Sequence, residues 1–297
     1  MVQAAVHLSE YWAAARSQVE EALDLATREI PGAPPRLIEA IRYSLLGGGK
    51  RLRALLVLLA HEGCGGTRQQ AMPAACALEM VHAYSLIHDD LPAMDDDDLR
   101  RGQPTNHKVF GEAMAILAGD GLLTLAFEVI AREVKPAELA AECTLQLAQA
   151  AGASGMVGGQ ADDLAGNALT AGRSLLESIH RRKTGALIRA SLELGGIMAG
   201  ADDQRREALR RYGDALGLAF QITDDLLDVQ GEESVVGKRV GKDAQHGKLT
   251  FPAVLGIDES RRQADRAVEQ AVAAVASWGG DADRLVELAR FVKERDR

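Results

Sequence analysis

The sequence predicts an all-α fold, and two observations support that prediction. Aromatic residues make up only 4% of the 297 residues, whereas alanine and leucine are frequent. Alanine and leucine are strong helix formers, while aromatic and β-branched residues favour strands. Apolar residues also recur at helical spacing, and no stretch alternates with a period of two. Because 47% of the residues are apolar and no linker-like segment is present, residues 1–297 are predicted to form one ordered domain.

The predicted helices follow one another with short connections. Ser9 and Pro31 bound the first, and Pro34 opens the second, which ends at the glycines from residue 47; proline favours helix starts and glycine favours helix ends. A helix break is predicted at the Lys-Thr-Gly of residues 183–185. The predicted helices are 9–30, 34–47, 50–61, 68–91, 111–134, 136–151, 173–183, 185–199, 203–229, 258–277 and 281–295, with polar stretches at 92–108 and 230–249.

The helix predicted at 111–134 is apolar on nearly every face. Such a helix lies in the centre of a bundle or at a subunit interface. The N-terminus lacks the pattern of a signal peptide, and no apolar run reaches the roughly 18–20 residues of a membrane span. The three cysteines, Cys64, Cys76 and Cys143, show no ligand spacing. We therefore expect core thiols, a cytoplasmic protein and no membrane span.

The charge of the chain is negative and concentrated. The net charge is −9, which excludes a general nucleic-acid binder, since such proteins need a basic surface. Nine internal aspartates account for this charge by themselves: Asp89, Asp90, Asp95, Asp96, Asp97, Asp98, Asp224, Asp225 and Asp228. They form two clusters within apolar sequence, unlike an acidic tail.

The first cluster, at residues 88–102, reads HDDLPAMDDDDLRRG. Like charges this dense repel one another and indicate a counter-ion, although a solvated helix end is the alternative. Oxygen ligands without cysteine suit Mg²⁺, which shares its coordination shell with water and phosphate. The spacing does not match an EF-hand, because glycine and glutamate are absent from the required positions.

The second cluster, at residues 220–228, reads FQITDDLLD. Gln221, Asp224 and Asp228 lie three and four residues apart and therefore share one helical face. A single motif of this kind is more often a surface face. Two such clusters, each on an apolar helix, predict facing walls of one cavity in which metal ions bridge a highly charged anion.

Basic residues complement the two acidic clusters. Lys50 and Arg53 occupy the first turn of a helix after three glycines, a setting that favours phosphate; a solvated basic turn is equally consistent, and the P-loop pattern is absent. His82 lies two helical turns before Asp89 on the same face, although a lone histidine is more often a core residue. Arg100 and Arg101 directly follow the first cluster. Lys238, Arg239, Lys242 and Lys248 lie in the 230–249 loop, where solvated charges are the simpler account.

Together these motifs resemble the short-chain trans-prenyl diphosphate synthases, and most closely the bacterial farnesyl diphosphate synthases of that family. The matching segments are GGGKRLR at 47–53, the first acidic cluster, GGQ at 158–160, KTG at 183–185, FQITDDLLDV at 220–229, GKD at 241–243 and KLTFP at 248–252. They follow the family's order, whereas residues 1–30 and the last forty match only as helices. Phe251 stands where the family often has tyrosine.

The resemblance implies an isoprenoid-synthase helical bundle with a central cavity, three Mg²⁺ ions and a homodimer. Asp89 and Asp95, helped by Asp90, would hold two Mg²⁺ ions, and Asp224 a third, supported by Asp225 and Asp228. Arg100, Lys183 and Lys238 would assist the metals in gripping an allylic diphosphate. Isopentenyl diphosphate would bind through Lys50, Arg53, His82 and Arg101. Thr184 and Gln221 would line the reacting carbons, so that the catalytic set is Arg100, Lys183, Thr184 and Gln221.

The resemblance also implies a product length and a lid. Tyr84 and Ser85, one turn or slightly more before Asp89, would form the floor that stops the product at C15, with C20 and C10 as alternatives. The 230–249 loop would close over bound diphosphate. A terpene cyclase would not need a second, metal-free diphosphate site, and a non-catalytic synthase subunit would be expected to lose acidic ligands. Both classes remain alternatives to a prenyltransferase that makes farnesyl diphosphate.

Overall fold

Helices make up nearly all regular structure in a computed structural model that describes residues 2–165, 172–230 and 250–294. This confirms the predicted all-α class. The helices are α1 (Val2–Arg28), α2 (Pro35–Leu45), α3 (Leu52–Gly63), α4 (Arg68–Asp89), α5 (Asn106–Phe110), α6 (Glu112–Glu133), α7 (Ala137–Ala151), α8 (Met156–Ala165), α9 (Arg173–His180), α10 (Ala186–Met198), α11 (Asp203–Gln230), α12 (Phe251–Leu255), α13 (Ile257–Val275) and α14 (Asp283–Glu294).

The chain divides into two compact units, and the first comprises residues 1–58 and 66–145. Its central helix is α4, which packs against α1, α2 and α6. Most of α4 is buried, including Leu78, Met80 and Ile87. The Gln70 side chain accepts a hydrogen bond from the Thr67 backbone N–H at 3.0 Å, which satisfies one of the amides left open at the start of a helix. This buried helix carries the first acidic cluster at its C-terminal end.

A short antiparallel hairpin follows α4 in the first unit. Strands β1 (Leu99–Arg100) and β2 (Gln103–Pro104) pair with Arg100 opposite Gln103. Arg101 and Gly102 turn the chain with φ angles of 53° and 77°, and glycine adopts such a left-handed conformation without steric cost. Strands of two residues leave no alternating pattern in the sequence, which is why none was predicted here.

The second unit comprises residues 59–65 and 146–297. Helix α11 packs against α10, α12, α13 and α14. A core cluster of Leu176, Ile222, Phe251 and Ala264 joins α9, α11, α12 and α13, with Leu218 and Leu226 packed against it. The buried Tyr212 hydroxyl donates to the Leu285 carbonyl at 2.7 Å. This packing fixes the helix that carries the second acidic cluster.

Besides the hairpin and the short helices α5 and α12, none of which was predicted, the structure corrects three predictions of local structure. Helix α1 begins at Val2 rather than near Ser9. Helix α8 was not predicted, because its two glycines argue against a helix in sequence terms. The predicted break at residues 183–185 is instead a π-helical segment, Arg181–Gly185, which joins α9 to α10 without interruption. The 230–249 loop, with Lys238, lies almost wholly outside the described residues, as does most of the segment around GKD.

Helix α6 is apolar enough and long enough to cross a membrane, the one such helix among the described residues. Within its most apolar 18-residue window, 44% is buried inside the protein. Its buried residues include Ala118, Leu122 and Ala126, whereas Ile116 and Leu117 are 44% and 52% exposed. A core helix of a soluble protein passes the same test of length and composition, so the absence of a membrane span stays a prediction.

Candidate active site

The first acidic cluster is shaped by a tight reversal at the end of α4. The Asp95 backbone N–H donates to the Asp89 carbonyl at 2.8 Å, and the Asp96 N–H donates to the Leu91 carbonyl at 3.1 Å. The reversal brings the backbones of Asp89 and Asp95 together although they are six residues apart. Both aspartates are half-buried. The two predicted metal ligands of this cluster are thus neighbours in space.

Asp90 has different surroundings from Asp89. It is 3% exposed, and its carboxylate accepts hydrogen bonds from Arg100 Nε at 2.9 Å and from Arg100 Nη2 at 2.6 Å. Burial raises the pKa of Asp90, and the Arg100 guanidinium opposes that shift. A bidentate pair of this kind fixes the orientation of both side chains. Asp90 therefore anchors Arg100 beside Asp89, and its role as a metal ligand stays a prediction.

The predicted basic turn is supported by a buried ion pair that sequence reasoning missed. Arg51 is 6% exposed and has a φ of 53°. Its Nη1 lies 3.5 Å from Glu79 Oε2, and its Nη2 donates to the Leu45 carbonyl at 2.8 Å. The other oxygen of Glu79 accepts from the Ala54 backbone N–H at 3.1 Å. Glu79 thus holds the start of α3, where Lys50 and Arg53 lie. The sequence feature that could have revealed this ion pair is the presence of Glu79 inside an apolar helix.

His82 lies among several guanidinium groups. Burial lowers the pKa of His82 well below its usual range, and the charges of Arg53 and Arg101 lower it further. His82 and Arg101 line a cavity of about 50 Å³ in the first unit, together with Arg51 and Arg100. The Arg101 guanidinium contacts the Gly48 carbonyl. Gly49 has a φ of 134°, which favours glycine, and a Cβ there would displace the Arg101 guanidinium, since it would lie 2.7 Å from Nη1.

The two predicted chain-length residues lie at different depths in the wall of α4. Tyr84 is 6% exposed, and its ring packs edge-on against His88 with the centroids 5.7 Å apart. Burial raises the pKa of Tyr84 to about 12, and the Asp89 charge acts in the same direction. Ser85 is half-buried and donates to the His82 carbonyl at 2.9 Å. Both residues therefore lie on α4, the helix that ends in the first acidic cluster, one turn or slightly more before Asp89.

The second acidic cluster is organised by a chain of hydrogen bonds whose donors are uncharged groups. Thr184 Oγ1 donates to Gln221 Oε1 at 3.1 Å, and Gln221 Nε2 donates to Asp225 Oδ1 at 2.8 Å. The other Asp225 oxygen accepts from the Phe251 backbone N–H at 2.8 Å. Asp225 is 2% exposed, whereas Asp224 is half-buried. These hydrogen bonds connect the π-helical segment Arg181–Gly185, α11 and α12, and they bring the predicted residues Thr184 and Gln221 together.

Lys183 is held by an acidic residue that the sequence argument did not single out. Its Nζ donates to Asp163 Oδ2 at 2.6 Å, and the preceding Arg182 pairs with Asp162. These pairs connect α8 to the π-helical segment, and π-helical turns are frequent at functional sites. A Cβ at Gly159 would lie 2.2 Å from the Lys183 backbone nitrogen. The GGQ motif therefore permits the close packing that positions Lys183.

The donors of both clusters fit Mg²⁺ in kind. Across residues 2–165, 172–230 and 250–294, no three His, Cys, Asp or Glu side chains converge on a point that could hold a metal ion. Mg²⁺ typically takes one or two carboxylates and completes its shell with water and substrate phosphate. Asp89 with Asp95, and Asp224 on its own helix face, supply carboxylate oxygens of this kind. Lys238 lies outside the described residues.

The described residues form an all-α fold with two aspartate-rich helix segments, each accompanied by cationic side chains, and this set of groups suits divalent metal ions and phosphate. Residues 34–288 match the family described as polyprenyl synthetase. The chain belongs to this family.

Individual relatives are similar along nearly the whole chain. A farnesyl diphosphate synthase of Geobacillus stearothermophilus is 45% identical over 95% of this chain and 95% of its own length. A geranylgeranyl diphosphate synthase of Cyanophora paradoxa is also 45% identical, over 92% of both chains. The crystal structure of an FPP/GFPP synthase from Zymomonas mobilis has a TM-score of 0.86 at 39% identity, covering 97% of this chain and 99% of that one. The comparisons confirm the predicted family, the all-α fold and the prediction of a prenyltransferase.

Proposed function

We propose that this protein condenses isopentenyl diphosphate with an allylic diphosphate to make farnesyl diphosphate and free diphosphate. The observation that carries the proposal is the presence of two sets of cationic side chains: Arg100 and Lys183, each paired with an aspartate, and Arg53 and Arg101, whose charges act on His82. Two cationic groups suit two diphosphate-bearing substrates. A terpene cyclase has one such substrate, and a subunit without catalytic function has no need for either acidic set.

We assign the acidic residues to the allylic substrate. Asp89 and Asp95 would hold two Mg²⁺ ions, and Asp224 a third, with Asp228 nearby on the same helix face. The bound ions would neutralise the allylic diphosphate and lower the free energy of breaking its C–O bond. Arg100 and Lys183 would bind the same diphosphate, since each presents its charge beside an acidic partner, Asp90 or Asp163, that orients it.

We assign isopentenyl diphosphate to Lys50, Arg53, His82 and Arg101. The depressed pKa of His82 keeps the imidazole neutral near pH 7, so it would donate a hydrogen bond to phosphate without adding charge. Thr184 and Gln221 would flank the reacting carbons. Their side chains hydrogen-bond to each other at 3.1 Å and present neutral dipoles that favour a cation without attacking it. The released diphosphate would accept the proton lost after the new C–C bond forms.

The experiment that tests this function is product analysis with purified protein, Mg²⁺, isopentenyl diphosphate and either dimethylallyl or geranyl diphosphate. After dephosphorylation, chromatography should show farnesol from both allylic substrates. Farnesol should disappear when a chelator is in excess over Mg²⁺. Formation of a cyclic hydrocarbon, or no conversion, would contradict the proposal.

The product length depends on Tyr84 and Ser85. The buried ring of Tyr84 would block further growth, while the smaller Ser85 would leave room for a C10 substrate on the helix face of Asp89. Tyr84→Ala should then lengthen the product towards C20, and Ser85→Phe should shorten it to C10. If both variants give only C15, the floor lies elsewhere. A wild-type product of C20 would favour the geranylgeranyl synthases among the relatives.

We further propose a homodimer and a cytoplasmic location. Ile116 and Leu117 on α6 and Leu145 on α7 are 44–59% exposed, and apolar side chains of this size on neighbouring helices favour a subunit interface. The three cysteines are free thiols, as expected in a reducing compartment. Light scattering should give twice the chain mass of 31.7 kDa; an active species of single-chain mass would contradict the dimer.

A further inference from the structure

A large groove in the second unit is separate from the residues assigned to the substrates. Its volume is about 980 Å³, at the upper end of the range of ligand pockets. It is bordered by the α9–α10 segment, by one face of α11 and by one face of α13. Gly185, Ala215 and Ala267 are buried in its wall, and Leu218, Ala273 and Ala274 present accessible apolar side chains. The groove therefore has both the size and the apolar surface of a ligand site.

The groove is also rich in guanidinium groups. Five arginines line it, against two carboxylates, Glu177 and Asp214; the arginines are Arg173, Arg181, Arg189, Arg211 and Arg266. Several have partners on their own or a neighbouring helix, such as Arg173 with Glu177 at 2.7 Å and Arg266 with Glu259 at 2.6 Å. Cations thus outnumber anions in the lining itself.

Arg181 differs from the two residues that follow it. Arg182 and Lys183 pair with Asp162 and Asp163, whereas Arg181 has no ion pair within the part of the chain that the structure describes. Arg189 lies two helical turns further along the same face. Its contacts with Asp214 and Glu193 are long, at 3.5 Å, and its buried Nε has no hydrogen bond to any of the described residues.

The groove contains a second polar side chain, Gln263, whose hydrogen-bonding groups are only partly satisfied. Gln263 is 7% exposed, and its Nε2 makes a long hydrogen bond of 3.4 Å to Glu177. Its Oε1 is buried without a hydrogen-bond donor among the described residues. A buried polar atom without a partner has an unfavourable free energy unless a ligand or water satisfies it.

We propose that this groove binds an amphipathic organic phosphate, with its anionic head at Arg181 and Arg189 and its apolar body along Leu218, Ala273 and Ala274. Guanidinium groups bind phosphate oxygens in a bidentate manner, and the alanine-rich faces of α11 and α13 accept a hydrocarbon chain. A prenyl diphosphate has this chemistry; choosing it as the probe rests on the proposed function.

The groove also touches the catalytic segment. Arg181 and Gly185 are the two ends of the π-helical segment that contains Lys183 and Thr184. His180, another lining residue, lies 3.7 Å from Asp225 and stacks on Phe251. An occupant at Arg181 would therefore bind the same π-helical segment that carries Lys183, and we expect binding there to be coupled to turnover.

The test uses the whole protein in EDTA, so that the acidic clusters hold no metal. The probe is the non-hydrolysable farnesyl thiolodiphosphate, and binding is read by calorimetry and by hydrogen exchange. Protection should appear in residues 177–189 and 263–274. Arg181→Ala and Ala273→Trp should each weaken this binding by about tenfold, whereas Arg261→Ala, on another face of α13, should not change it. Unfolding midpoints identify any variant that fails to fold.

Three outcomes would overturn the proposal. They are protection confined to residues 50–53 and 82–101, unchanged affinity in both groove variants, and equal binding of inorganic pyrophosphate, which would leave the apolar surface without a role. None of these readouts measures turnover. Failure of wild-type protein to form farnesyl diphosphate would contradict the proposed function and leave the metal-free binding result intact.

Discussion

The two acidic clusters share one feature and differ in another. In each adjacent pair of aspartates the second is buried and hydrogen-bonded, Asp90 at 3% and Asp225 at 2% exposure, while the first is half-buried. Asp90 is held by a charged group, the Arg100 guanidinium. Asp225 is held by neutral groups, the Gln221 amide and the Phe251 backbone N–H. The second aspartate thus fixes each cluster, through a guanidinium in one unit and through an amide and a backbone N–H in the other, and we propose the first aspartate as the metal ligand.

The largest effect should come from the first aspartates. Asp89→Asn or Asp224→Asn removes a charge from the proposed metal shell, and kcat should fall on the order of 10²–10³-fold. Circular dichroism and unfolding midpoints should stay close to wild type, because neither residue is deeply buried. Steady-state kinetics at saturating Mg²⁺ measure the effect. Near-normal kcat in both variants would remove the two residues from the metal sites.

Substitution of the second aspartate in each pair should show whether a charged partner and a neutral partner contribute differently to the free energy of unfolding. Asp90→Asn leaves Arg100, whose side chain is 33% exposed, without its counter-charge and should lower the free energy of unfolding by about 2–3 kcal/mol. Asp225→Asn keeps an oxygen for the Phe251 N–H and should cost about 1 kcal/mol. Urea denaturation gives both values.

A double variant provides the control for the charged case. Asp90→Asn combined with Arg100→Gln removes both charges and should recover part of the stability lost by Asp90→Asn alone. If Asp90→Asn and Asp225→Asn lower the free energy of unfolding equally, the charged partner of Asp90 and the neutral partners of Asp225 stabilise their clusters to the same extent.

The second cluster should be sensitive to backbone packing as well. In Gly159→Ala the new Cβ would meet the Lys183 nitrogen at 2.2 Å, so we expect a loss of about 1–3 kcal/mol together with a lower kcat. Gly172→Ala is the matched control, since a Cβ there meets nothing within 4 Å. Thermal unfolding of both variants measures this loss of stability. Similar unfolding midpoints for the two variants would show that the Lys183 backbone can shift without a loss of stability.

The smallest effect concerns pH. Burial lowers the pKa of His180 to about 4, with Asp163 acting against the shift and Lys183 with it. The unfolded chain therefore binds this proton at a higher pH than the folded protein does. The contribution of neutral His180 to the free energy of unfolding is fully present above pH 6.5 and is lost as the pH falls towards 4. The loss attributable to His180 should be about 1–2 kcal/mol at pH 5.

The variant His180→Gln isolates this contribution. It should show a flatter dependence of the urea midpoint on pH between 8 and 5 than the wild type. An identical dependence in both proteins would assign the acid sensitivity to other groups.

The sequence by itself determined the fold class, the family and the residue types of the site. Composition and helical spacing are sufficient for an all-α prediction, because each helix needs only a local apolar face. The acidic clusters were visible because so many like charges in apolar sequence have no simple structural purpose. The ranges of α4, α6 and α11 followed the prediction closely for the same reason: long periodic segments carry a strong local signal.

Only the tertiary structure decided which member of each acidic pair is buried, and which groups hold it. Asp89 and Asp90 are adjacent and chemically identical, and nothing local distinguishes them until the hairpin places Arg100 against one of them. The same applies to Glu79 with Arg51 and to Asp163 with Lys183, which are distant in sequence. Likewise α8 forms although its glycines disfavour a helix, because Gly159 permits a backbone contact that no side chain would allow. Contacts between residues that are distant in sequence determine these features, whereas a local sequence pattern carries information only about residues a few positions apart.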